Sequence, residues 1–290
     1  MDVVTRLRGV SAPLDVVVSG LAFPECPRWY DGALWITDVA AGQVLRWTPG
    51  PEGAAGIEVV CEVEGHPAGT GFLPDGRLLV AAGDRRQVLR REPDGSLVVH
   101  ADLSQVATAQ LNDMHVTADG RAYVGNYGDD SVPPAPPAPA VLALVTPEGE
   151  VRAAADGMLF ANGIATTADG GTLVVAETRA TPGRLTRFRV EADGSLADRQ
   201  VLAELEPGVL PDGIALDEES VWVASPFTDQ VLRVDLADGR LREVLAVPTP
   251  YAVALGGADG RDLFICTAPT WVPADALAAR GGQVLRARIG

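Results

Sequence analysis

Six times along the 290 residues an aspartate, in five cases followed by glycine, stands just before a short run of β-forming side chains. Asp31-Gly32 precedes Ala33-Leu34-Trp35-Ile36, Asp75-Gly76 precedes Arg77-Leu78-Leu79-Val80, and Asp119-Gly120 precedes Arg121-Ala122-Tyr123-Val124. Asp169-Gly170 then comes before Thr172-Leu173-Val174-Val175, Asp217 before Val221-Trp222-Val223, and Asp259-Gly260 before Asp262-Leu263-Phe264-Ile265. The intervals between these aspartates are 44, 44, 50, 48 and 42 residues. A period of about 40 to 50 residues belongs to propeller blades. Asp-Gly between apolar runs is a hairpin signal, since both residues tolerate positive φ.

Each unit continues through a turn to another apolar strand, as in Gln43-Val44-Leu45-Arg46, Gln87-Val88-Leu89-Arg90, Gln230-Val231-Leu232-Arg233 and Gln283-Val284-Leu285-Arg286. Five units then reach a fourth strand, whereas the sixth ends at Gly290 after its third. The expected fold is all-β: one domain over 1–290, a six-bladed β-propeller of four-stranded antiparallel blades. The segment around Asp15-Val16-Val17-Val18 should supply the outer strand of the last blade and close the ring. Closure leaves few exposed edges, and two stacked sandwiches would not require so regular a repeat. The stretch 131–139, Ser-Val-Pro-Pro-Ala-Pro-Pro-Ala-Pro, is too proline-rich for a ladder strand and reads as a stiff loop in the third blade, a lid or a spacer.

The net charge of −16 argues against a nucleic-acid partner. All 23 basic residues are Arg, which excludes Schiff-base lysines and the lysine phosphate loop. Cys26, Cys61 and Cys266 are odd in number and show no C-x-x-C spacing, so reduced thiols are expected. Residues 1–6 carry no secretory pattern and no apolar run is long enough to span a bilayer, so no membrane association and a cytoplasmic location are expected. Oligomeric state is left open.

An oxygen-bearing side chain precedes four of the repeated strands at nearly constant distance: Glu25 by 9 residues, Asn112 by 10, Asn162 by 11 and Asp212 by 9. In a propeller the innermost strands line one channel, so equivalent positions lie around one rim. Two carboxylates and two carboxamides are hard donors that suit Ca²⁺, Mg²⁺ or Mn²⁺. Asn162-Gly163 and Asp212-Gly213 are also ordinary turn dipeptides, and the shared register is what favours a metal reading. The second and sixth units carry Gly69-Thr70 and Tyr251-Ala252 in the matching region and offer no carboxylate.

Phe23-Pro24-Glu25-Cys26-Pro27-Arg28-Trp29 with Gly32-Ala33-Leu34-Trp35-Ile36-Thr37-Asp38, then Leu111-Asn112-Asp113, Asn162-Gly163-Ile164 and Pro211-Asp212-Gly213-Ile214, resemble the motifs of the regucalcin (senescence marker protein), gluconolactonase and luciferin-regenerating enzyme family. The resemblance covers essentially the whole chain. It implies one divalent cation in the channel, calcium first with magnesium, manganese or zinc as alternatives, held through Glu25, Asn162 and Asp212. Asn112 would touch the metal, its waters or the substrate. It further implies hydrolysis of a small lactone or ester, with Asp212 both ligand and general base.

Gln110 stands where the family's sugar lactonases usually carry an arginine that grips the substrate, and it brings neither charge nor fork. Asp130 matches an acid that often reaches substrate and reads equally as a solvated loop residue beside the proline-rich stretch, and His66 could face the channel mouth or stand as an exposed loop histidine. His115 is expected to pack and His100 carries no signal. Strand alternation should turn Cys26 away from the axis, which disfavours a thiol nucleophile. No G-x-S-x-G is present to support a serine hydrolase. The rivals to lactone hydrolysis are metal-assisted cyclisation, isomerisation or phosphoester cleavage, and a non-catalytic ligand-binding propeller.

Overall fold

The structure is a computed structural model that describes residues 13–50, 56–131 and 135–289. The N-terminal residues read for a signal, and 132–134 of the proline-rich loop, lie outside the described residues. Six four-stranded antiparallel sheets form the blades of a propeller. Blade one consists of Pro24–Tyr30, Ala33–Asp38, Gln43–Thr48 and Gly56–Glu62 in that order. The first strands of blades two to six are Pro67–Phe72, Leu111–Val116, Ala161–Thr166, Ile214–Leu216 and Pro250–Gly256. They touch one another in succession, and the sixth touches the first, so the first strand of each blade faces the axis.

The ring closes as the missing strand requires. Leu14–Leu21 pairs with Gly282–Arg288, Leu14 opposite Ala287 and Leu21 opposite Gly282. Val18 and Leu21 bury themselves against Leu34, Phe264 and Val284, which ties the two ends of the chain into one core.

Alternation along the strands places apolar side chains on both faces of each blade, and the core is a ring of interfaces between neighbouring blades. Leu79 and Val88 meet Leu111, Met114 and Val124 between blades two and three. Val174 and Leu185 meet Ile214, Val221 and Val223 between four and five. Each fully buried Val, Leu or Ile contributes about 1.5–3 kcal/mol. Because the apolar layers lie between blades, the axis itself is left to polar groups.

The repeated aspartates serve the hairpins differently from the expected way. Only Asp31 has positive φ, at 48°, beside Gly32 at 70° in a two-residue turn. At the other five positions the Asp carboxylate accepts the backbone N–H two residues on, from Arg77 at 3.0 Å, Arg121 at 3.3 Å, Gly171 at 3.0 Å, Glu219 at 2.8 Å and Arg261 at 3.2 Å. This side-chain turn explains why Asp217 works without a glycine after it.

One irregularity repeats in every blade and fixes the channel. Near the start of each first strand two consecutive residues face one residue of the second strand, a β-bulge. The shifts fall between Glu25 and Arg28, Pro67 and Thr70, Leu111 and Met114, Ala161 and Ile164, and Pro250 and Ala252. In blade five, Ala224 bonds to both Asp212 and Gly213, at 2.9 and 3.0 Å. The residues left between the flanking pairs are Cys26-Pro27, Ala68-Gly69, Asn112-Asp113 and Asn162-Gly163, with Asp212-Gly213 the matching pair in blade five and Tyr251 the single extra residue in blade six; Glu25, paired with Thr37, stands immediately before its bulge. Blade two therefore enters one residue earlier than the sequence spacing suggested, at Ala68, and still without a carboxylate.

Removing the chain through Leu21 is expected to leave Gly282–Arg288 as an open edge, lowering Tm and producing larger species on size-exclusion chromatography than the full chain gives. An unchanged Tm and elution volume would show that this strand does not close the ring.

Candidate metal centre

The second residue of each first strand, with Asp212 just ahead of the short first strand of blade five, defines a ring of six equivalent positions at or beside the bulge: Glu25, Ala68, Asn112, Asn162, Asp212 and Tyr251. The four oxygen-bearing residues singled out by spacing thus share one register, in blades one, three, four and five. A bulge bends its strand and re-aims side chains. The residue after the ring position must be small where the next strand presses on it. A Cβ on Gly69 would lie 2.1 Å from the Met114 nitrogen, one on Gly163 2.5 Å from the Asp212 carbonyl oxygen, and one on Gly213 2.6 Å from the Ala252 Cβ. Gly163 N–H donates to the Asp212 carbonyl at 3.3 Å and Gly213 N–H to the Tyr251 carbonyl at 2.8 Å, stitching successive first strands around the ring.

Residues ending the second strands hold the segments that carry the ligands. Asp38 accepts the Ala22 and Phe23 N–H groups at 2.9 Å each, just before Glu25. Glu177, fully buried, accepts the Leu159 N–H at 2.9 Å, the Thr186 hydroxyl at 2.5 Å and two bonds from Arg184 at 2.9 Å. Thr178 donates its hydroxyl to the Pro211 carbonyl at 2.7 Å, beside Asp212.

The ring is electrostatically crowded. Burial pushes the Glu25 carboxyl up to about 7, against the opposing hydrogen bond from Cys26 N–H at 2.8 Å and with the nearby Asp113 raising it further. Asp212 is raised well above the carboxylate range, by burial first and then by the charge on Glu25, while the Asn162 carboxamide pulls the other way. Sequence spacing missed Asp113, a third buried carboxylate, because it occupies the bulge itself. It accepts Arg28 Nη2 at 2.8 Å and the Met114 N–H at 2.8 Å. Arg28 also donates to the Met114 and Pro27 carbonyls at 2.7 and 2.8 Å, so its charge is engaged with Asp113 below the ring.

Cys26 departs from expectation for the same reason. At the bulge it has φ of 47°, alternation is broken, and its thiol lies within electrostatic reach of Asp113, Glu25 and Asp212. Burial and these carboxylates hold the thiol protonated, which disfavours a nucleophile.

The remaining candidates separate clearly. Gln110 and His66 are half-buried and stand two residues before Asn112 and Ala68, on the rim where the ring opens. The Gln110 carbonyl accepts the Tyr127 N–H at 3.1 Å, and the His66 carbonyl the Gly83 N–H at 2.9 Å. Burial lowers the His66 imidazole pKa. Asp130 is exposed, whereas its neighbour Asp129 organises the loop, accepting the Ser131 N–H at 3.0 Å and the Ala138 N–H at 2.7 Å. Arg179 of blade four grips the Ser131 and Ala135 carbonyls at 2.7 Å each, tethering the proline-rich segment beside the mouth. His115 lies further down the channel, bonded to Thr166 at 2.9 Å, with its pKa pushed down to about 3 by burial and then Arg28.

The donor set is all oxygen. Among the described residues no three His, Cys, Asp or Glu side chains group as metal ligands, and half of the present set is carboxamide. Buried like charges with the nearest guanidinium already paired fit a hard divalent cation.

A carboxyl raised in the folded state contributes stability that is full below its unfolded pKa and lost as pH rises through the folded one. For Glu25 that window runs from 4.5 to about 7. Metal-stripped wild type is expected to lose Tm across this window more steeply than Glu25→Gln, and a divalent cation should restore wild type most at the upper end. Parallel pH profiles for the two proteins would contradict this electrostatic picture.

The sequence pattern of the SMP-30/Gluconolactonase/LRE-like region matches residues 23–269. A luciferin-regenerating enzyme superposes with a TM-score of 0.80 at 18% identity, covering 97% of this chain and 96% of that one. A calcium-binding regucalcin from Agrobacterium tumefaciens gives 0.78 at 20% identity, covering 98% and 96%. A gluconolactonase from Xanthomonas campestris gives 0.75 at 23%, covering 96% and 90%. No curated protein matches in sequence. The matched region takes in the bulges of all six blades, and the chain belongs to the SMP-30/gluconolactonase/LRE-like family.

Proposed function

We propose that this protein is a metal-dependent hydrolase of a small lactone or ester, working at the ring of Glu25, Asn112, Asn162 and Asp212. The observation that carries this reading is the common register of four hard oxygen donors in a channel where two carboxyls are forced above their ordinary pKa. Family membership and the gluconolactonase and regucalcin neighbours support it. Calcium is the first choice of ion, because six to eight oxygen ligands in flexible geometry suit it.

Glu25, Asn162 and Asp212 would hold the cation, with Asn112 orienting substrate or water from the same ring. When bound, the ion supplies charge that stabilises the carbonyl oxygen as it becomes negative. Asp212 takes a proton from the attacking water, whose oxygen bonds to the carbonyl carbon. The acyl C–O bond breaks, the departing oxygen receives a proton, and a hydroxy acid results. Asn162 steadies the Asp212 carboxylate through the hydrogen bond that favours its charged form. The small-molecule substrate enters from the rim that carries Gln110 and His66.

Asp212→Ala is expected to lower kcat by roughly 10²- to 10⁴-fold with the fold intact by circular dichroism. Glu25→Gln should weaken calcium binding by calorimetry, and chelation should abolish turnover that added cation restores. Turnover by Asp212→Ala at the wild-type rate, or full activity in excess chelator, would remove the proposed roles.

A further inference from the structure

Two aromatic pairs flank the end of the channel where the ligand ring opens. Phe23, two residues before Glu25 in blade one, meets Tyr251 of blade six edge to face with centroids 4.8 Å apart. Phe160, two residues before Asn162 in blade four, stacks on Tyr127 of blade three at 4.3 Å. In a ring of six, blades six and one lie across the axis from blades three and four, so the pairs face each other over the mouth.

The topology places all four rings at this end. Tyr251 occupies the ring position of blade six itself, and Tyr127 directly follows the second strand Ala122–Asn126, which returns to the rim where the first strand began. Both phenols feel the ring: after burial, the charges of Asp212 and Glu25 raise them, Tyr251 to about 12. Further out, Phe227 and Trp271 are 61% and 55% exposed in the loops joining second and third strands of blades five and six, on the same side.

The two polar side chains two residues ahead of the ring positions in blades two and three bring little charge. Gln110 is neutral, and its carbonyl fixes Tyr127 through the 3.1 Å bond. Burial keeps His66 toward its neutral form. Two guanidiniums in the loops of this end are already engaged, Arg85 with Glu64 and Arg179 with Asp129 and Ser131. Arg280, exposed in the same loop as Trp271, stays in solvent at the outer edge, and it is the facing aromatic walls that favour a flat apolar group over a polyhydroxylated one.

We propose that the mouth selects lactones or esters carrying a flat apolar group, an aryl-fused lactone above all, held between the Phe23-Tyr251 and Tyr127-Phe160 pairs. This rests on the hydrolytic reading above. With an aryl-fused lactone, the water oxygen bonds to the carbonyl carbon and the ring C–O bond breaks. The departing oxygen takes a proton and leaves as a phenol, and the new carboxylic acid loses its own proton to solvent.

The test uses three six-membered lactones with calcium present: dihydrocoumarin, δ-valerolactone and δ-gluconolactone. Each kcat/KM is divided by the lactone's rate constant with hydroxide, which removes intrinsic reactivity. The normalised value is expected to be at least about tenfold higher for dihydrocoumarin than for the other two. Phe160→Leu and Tyr251→Leu should each shrink the dihydrocoumarin-to-valerolactone ratio by about fivefold or more. A preference for gluconolactone, or a ratio indifferent to both substitutions, overturns the proposal. If no lactone is turned over, the hydrolytic reading fails by itself, and calorimetry with 3-(2-hydroxyphenyl)propanoate and gluconate decides the class. Binding of the aryl acid at least about tenfold tighter upholds the aromatic mouth, and equal or tighter binding of gluconate overturns it.

Discussion

Six strands that begin around one axis must approach more closely than flat ladders permit, and the repeated bulge is how this chain meets that constraint. Two residues share one partner, and the strand bends at or beside the ring position. The second is Gly in blades two, four and five, where a Cβ would strike the neighbouring strand at 2.1 to 2.6 Å. Ring closure and the placing of these oxygen-bearing side chains are therefore one structural device. Glu25 and Asp212 are brought close enough for the charge on one to raise the pKa of the other.

The cost of that closeness is electrostatic. Three acids, Glu25, Asp113 and Asp212, crowd the channel, and among the described residues Asp113 alone of the three forms an ion pair, with Arg28 at 2.8 Å. Breaking one member of a buried pair is strongly unfavourable, so Arg28 and Asp113 act together as a fixed floor beneath the ring. Glu25 and Asp212 are left to share whatever charge enters from the mouth. The same field keeps the Cys26 thiol protonated and the Tyr251 phenol neutral, which confines ionic chemistry to the oxygen donors.

Much of this was legible in the sequence. The interval between aspartates marked six blades, the short last unit pointed to closure by the segment around Asp15, and the constant offset before the second strands picked out Glu25, Asn112, Asn162 and Asp212. What hid was whatever depended on a bulge or on neighbouring blades. Period-two alternation put Cys26 outside the channel and gave no reason to notice Asp113, because an extra residue resets the alternation. Arg28 finds Asp113 across 85 positions, a contact no local pattern encodes. Asp130 drew attention by position, but Asp129 beside it holds the loop. The aromatic pairs join segments of different blades, which no local pattern encodes.

Anomalous diffraction from crystals soaked in Mn²⁺ or Ca²⁺ decides whether the proposed ring gathers around a single ion. One strong peak is expected on the axis, within about 2.0–2.6 Å of oxygens from Glu25, Asn162 and Asp212, with Asn112 or a water completing the shell. A channel without a peak at saturating ion, or an ion bound elsewhere with these side chains apart, would contradict the proposed ring.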